Sequence, residues 1–168
     1  MTIAAFAAWL SKTPPSLAVQ QTLWVIPTLQ TVHILAVAIV LSSVAMVELR
    51  LMGWAGTRTT MPETAQRYVP WVWGALVVLV LSGTILIIGE PERELTNLSF
   101  QVKMALLVCA ITLTACFQYS VGRGVKYWTD PPHRAGAKVL GLLTLVTWMA
   151  IAVAGRWIAY MDSTKVTL

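Results

Sequence analysis

Charge is scarce in this sequence. Asp, Glu, Lys and Arg make up 11% of its 168 residues, with only two histidines and two cysteines beside them. Soluble domains carry about 25% charged residues, so a water-covered globular surface is excluded. The cysteines, Cys109 and Cys116, share one apolar run. Seven residues apart on a helix, they stand roughly 10 Å apart along its axis. That is too far for a disulfide, and both read as small buried hydrophobes. The start, MTIAAFAAWLSK, lacks a basic n-region, so no cleavable signal peptide is expected and the first spanning helix acts as its own insertion signal. Alternating segments of about ten residues are missing, which excludes a β-barrel. There is no G-x-S-x-G, H-E-x-x-H, phosphate loop or paired-cysteine metal site. The repeat geometry of secondary transporters is also absent. The chain has no internal repeat and no low-complexity tract.

What is present is hydrophobic: 57% of residues, gathered in four long runs. A bilayer core of about 30 Å needs roughly 20 apolar residues of helix, and in lipid each run must satisfy its own backbone. The expectation is an all-α integral membrane protein with a single domain over 1–168. Its spans are predicted at about 22–47, 68–89, 98–120 and 138–161. Short connections make neighbours antiparallel, giving a four-helix transmembrane bundle. Thr2 to Leu10 reads as a short interfacial helix with Phe6 and Trp9 in the headgroup zone, ended by Lys12, Pro14 and Pro15. Gly74 and Gly83 in the second span, and Gly141, Ala150, Ala154 and Gly155 in the fourth, allow close helix contact.

Net charge is +5, but the positive residues lie in loops beside the membrane and do not signal nucleic acid. The first loop carries Arg50, Arg58 and Arg67, and the third Arg123, Lys126, Arg134 and Lys138. The second, GEPERELTN, is acidic. The bias places loops one and three in the cytoplasm and both termini on the periplasmic side of a bacterial inner membrane. Trp71, Trp73 and Trp128 fit the inner aromatic belt, and Trp24, Trp157 and Tyr160 the outer one.

The polar residues inside the spans carry the functional information, because a charge at mid-bilayer costs on the order of 3 kcal/mol and normally has a partner or a job. They are His33, Lys103 and Arg156. At 1.5 Å per residue they lie roughly 12, 6 and 3 Å below the outer face, with Gly83 at about 7 Å and Met149 at about 13 Å. An imidazole below two cations suits a b-type haem: His33 as axial ligand, Lys103 and Arg156 for the propionates, and Gly83 admitting a flat macrocycle. The second ligand is Met149, His33 of a second subunit, or none. The plainer readings stand beside this one. His33 can bond Gln30 or a Thr or Ser of a neighbouring helix. Lys103 and Arg156 can snorkel to the interface or pair with Glu90 or Glu94. Met149 can be core packing. His133 reads as an interfacial loop histidine, about a membrane thickness from His33. Glu48 and Arg50 read as an interfacial charge pair or a lipid-phosphate contact.

The segments LQTVHILAVAIVLSSVAMVELRLMG, YVPWVWGALVVLVLSGTILI, SFQVKMALLV and AGRWIAY resemble a family of small uncharacterised bacterial inner-membrane proteins, over nearly the whole chain. More distantly the layout is similar to the copper-resistance-D-like and membrane protoporphyrinogen oxidase group. That resemblance implies haem b, with His33 as ligand and Lys103 as companion lysine. This chain departs from the group in having one histidine within its spans. Three functions are expected to compete, beside a fourth, an oxidoreductase enzyme in its own right. The first is a haem-b protein passing electrons between a periplasmic partner and quinone or another redox subunit. The second is copper or other metal handling through His33, Met104 and Met149. The third is a cofactor-free scaffold of a larger complex. Self-association through the small-residue faces suits all three.

Overall fold

A computed structural model of the chain describes residues 2–56, 58–121 and 131–163. These form helices α1 (Ile3–Leu10), α2 (Pro14–Gln21), α3 (Val25–Met52), α4 (Met61–Gly89), α5 (Pro91–Leu95), α6 (Leu98–Val121) and α7 (Pro131–Ser163). No strand occurs among the described residues. The long helices α3, α4, α6 and α7 are each long and apolar enough to cross a membrane. Arg123, Lys126, Trp128 and Lys165 lie outside the described residues, as do the side chains of His133, Arg134, Trp157 and Tyr160.

Burial is distributed as lipid requires. The side chains that meet in the middle are Val40 and Val44 of α3, Val72, Ala75 and Leu76 of α4, Ala110 of α6, and Trp148 and Ile151 of α7. Other aliphatics of the same kinds, such as Val77, Leu81, Leu142 and Val146, face outward. Cys109 and Cys116 are exposed too, which corrects their reading as buried. In hydrocarbon an outward apolar side chain loses nothing, so hydrophobicity alone does not draw them inward. Helix α3 packs along both α4 and α7, and α6 packs along α7, while α4 and α6 touch sparsely. Across that sparse seam Trp73 Nε1–H donates to Gln118 Oε1 at 3.0 Å. In the centre, Trp148 Nε1–H donates to Thr114 Oγ1 at 3.3 Å.

Helix ends follow local chemistry and overrun the hydropathy limits. α3 continues to Met52 and stops at Gly53, whose φ of +80° suits a residue without a Cβ. Trp54 N–H closes the turn on Leu49 O at 2.9 Å. α4 starts at Met61, before the predicted span, because Thr60 and Glu63 form a reciprocal capping box. Its interior Pro70 is tolerated as in other membrane helices.

The N-terminal segment is more than an interfacial helix. Phe6 and Trp9 of α1 are exposed as expected. Pro14 and Pro15, read as breakers, instead begin α2, where a missing N–H costs nothing. The α1–α2 pair packs on α5 and the end of α4. Ser16, fully buried, donates to Ile88 O at 2.6 Å and accepts from Gln20 Nε2 at 2.8 Å. Ser11 Oγ reaches Glu92 Oε1 at 3.3 Å. This end of the bundle, with Glu90, Glu92 and Glu94, is its acidic end. The opposite end, with Arg50, Arg58 and Arg67, is its basic end.

Candidate functional site

His33 lies on α3, in the half of the bundle nearer the acidic end. Its Nδ1 is 2.8 Å from Ser82 Oγ of α4. Ser82 Oγ also lies 2.6 Å from Val78 O, one turn back on its own helix. A serine hydroxyl has one proton, and the carbonyl can only accept. The Ser82 proton therefore goes to Val78 O, and His33 Nδ1–H donates to Ser82 Oγ. That assignment leaves Nε2 with its lone pair, the form in which an imidazole ligates metal. Of the plainer readings of His33, the bond to a serine of a neighbouring helix is the one realised.

Gly83 meets His33 as its depth implied. A Cβ at Gly83 would stand 3.4 Å from His33 Cε1, in ordinary van der Waals contact, so the imidazole ring lies close against this stretch of α4. Lys103 of α6 is half-buried. Its aliphatic stem crosses α7 at Gly155, where a Cβ would be 3.9 Å from Lys103 Cδ. Its ammonium acts electrostatically on His33 and is acted on in turn by Glu94. All four spanning helices thus contribute, with His33, Ser82–Gly83, Lys103 and Gly155. Arg156 is the next residue on α7 and is exposed.

Met149 is not brought to His33. It is 56% exposed and lines an apolar groove between α6 and α7, of about 670 Å³, together with Leu98, Val102, Leu106, Val146 and Val153. The buried face of α7 runs through Gly141, Thr144, Trp148 and Ile151. One residue beyond Trp148 is a rotation of about 100°, which carries Met149 onto the lipid stripe. It is therefore neither a ligand to the same metal as His33 within one chain nor core packing. Met104 is likewise exposed. No group of three or more His, Cys, Asp or Glu able to hold a metal ion occurs among the described residues.

Near the basic end lies a feature that sequence reasoning placed wrongly. Glu48 is 2% exposed and makes no pair with Arg50. Residues two apart on a helix point to different sides, and Arg50 Nε–H donates instead to Thr59 O at 2.7 Å. The Glu48 carboxyl enters the space above Gly141 of α7, where a Cβ would collide with Oε2 and come within 2.9 Å of Leu51 Cδ2. Oε2 has no hydrogen-bond partner. A glutamate near a helix end signals an interface by its type, and only the facing glycine on α7 hinted at a buried seat.

No curated protein and no solved structure matches this sequence. The family of unknown function DUF6644 matches residues 20–161, the stretch that holds α3, α4, α6, nearly all of α7 and every residue of the site. The chain belongs to that family.

Proposed function

We propose that the site around His33 binds a b-type haem in a bacterial inner membrane, and that the protein passes electrons between a periplasmic partner and quinone or another redox subunit. The observation that carries this reading is the hydrogen-bond accounting at His33: Nδ1–H is committed to Ser82, so Nε2 is the free ligand atom. Such a second partner orients an imidazole and raises its basicity toward a metal. Lys103 and Arg156, from two other helices, supply positive charge for the propionates, and the distant likeness to the protoporphyrinogen oxidase group implies the same His33–Lys103 pair. With Met149 on the lipid face, His33 would be the one residue of a single chain to hold the iron, and a second copy would contribute its own His33. When bound, the haem supplies a one-electron couple. The chain's own residues ligate it, fix the ring and neutralise its acids. In this orientation the basic end is cytoplasmic and both termini are periplasmic.

Absorption spectra of the detergent-purified protein, oxidised and reduced, test the reading. A Soret band is expected, lost in His33→Ala and retained in Met149→Leu. A wild-type protein that stays colourless after haem supplementation refutes it. Metal handling gains no support from the exposed positions of Met104 and Met149.

A further inference from the structure

Glu48 is the only buried carboxyl among the side chains whose burial is described, and its seat is built. Gly141 supplies the space for its head, and Leu51 closes one wall. Thr144, one turn along the same face of α7 and fully buried, donates its hydroxyl proton to Leu140 O at 2.9 Å. It therefore has no proton left to offer the carboxyl. The charged and titratable groups around it do not pair with it either. On its own helix Arg50 is committed to Thr59 O. Lys138 of α7 lies one turn before Gly141, and Arg67 and Tyr68 lie on α4. Tyr119 of α6 is exposed. None of these makes a hydrogen bond or an ion pair with Glu48.

An ionised carboxylate in such a seat would have lost its water and gained no donor. A purely apolar side chain of similar size would serve packing better. A carboxyl is suited to the seat if its business is the proton. We infer that Glu48 is a proton-binding site, which takes up a proton at Oε2 inside the bundle and exchanges it with water at the basic end. The helix stop at Gly53 is five positions further on, about 7.5 Å along the axis. In the step, the Oε2 lone pair forms an O–H bond as the corresponding O–H bond of hydronium breaks, and release reverses it. The inference stands without the haem reading, since the two sites lie toward opposite ends of α3.

Infrared spectroscopy of the full chain in lipid tests it. The wild type is expected to show, at neutral pH, the C=O stretch of one protonated carboxyl. That band should shift down in D2O and disappear in Glu48→Gln. Gly141→Ala, which pushes on Oε2, should move its frequency. Carboxylate bands alone at neutral pH overturn the inference. So does an acid band that ignores D2O, because that carboxyl would be sealed. Should Glu48→Gln fail to fold, the wild-type spectra in H2O and D2O and the Gly141→Ala shift still decide.

Discussion

The bond between His33 and Ser82 can be weighed by a double-mutant cycle. Ser82→Ala removes the acceptor of His33 Nδ1–H, His33→Leu removes the donor, and the double variant removes both. In a water-soluble protein, stranding a buried donor costs about 1–3 kcal/mol. The bilayer lowers that figure, because helices separated within lipid keep other partners for their polar groups. Interhelical bonds measured that way average about 0.6 kcal/mol and reach about 1.7. The His33 bond belongs in the upper part of that range. It is 2.8 Å long, Ser82 is buried, and the serine proton is held by Val78 O at 2.6 Å, so the serine is already oriented as an acceptor. A coupling of about 1–1.5 kcal/mol is expected, roughly a 5- to 12-fold change in the unfolding constant. The assay is reversible unfolding of the four proteins in the same detergent, followed by tryptophan fluorescence. Single-variant effects that add to within about 0.3 kcal/mol would refute the assigned donor and acceptor, and with them the free Nε2.

Three further outcomes follow from the packing. Gly141→Ala should destabilise the bundle by about 1–3 kcal/mol through overpacking, and Glu48→Ala in the same chain should restore most of the loss; thermal melts in detergent read both. Ser16→Ala removes the bond to Ile88 O and should cost about 1 kcal/mol, appearing as faster amide exchange confined to α1 and α2. Gly89→Ala brings a Cβ to 2.8 Å from Val19 Cγ1 and should loosen the same pair, measured as faster proteolysis at Lys12, with α3, α4, α6 and α7 remaining folded.

Much of this architecture was legible in one dimension. The four spans stand out because lipid demands long apolar runs, and the depths of His33, Gly83 and Lys103 follow from a fixed rise per residue. What depth cannot supply is rotation about the helix axis. Met149 matches His33 in depth yet points the other way, and it falls in register with Leu142, Val146 and Val153, a stripe the sequence does display. Glu48 fails for a related reason, since a polar residue near a span end looks interfacial until the opposing helix is known to carry Gly141 there. Helix ends depart from the hydropathy limits where capping takes over, at Gly53 and Thr60. The helix α2 was hidden because Pro14 and Pro15 are both breakers and good helix starters, and only their position relative to the following turn distinguishes the two.

The seat of the N-terminal pair has a consequence for biogenesis. Ser16 finds its acceptor at Ile88, 72 residues later, and Val19 packs against Gly89. Neither exists in the growing polypeptide until the second span has left the insertion machinery. Through that interval the α1–α2 pair must wait undocked. A bulky fusion ahead of Ile3 would therefore burden assembly at the moment α4 arrives, while the same fusion placed after α7 would leave that closing step alone.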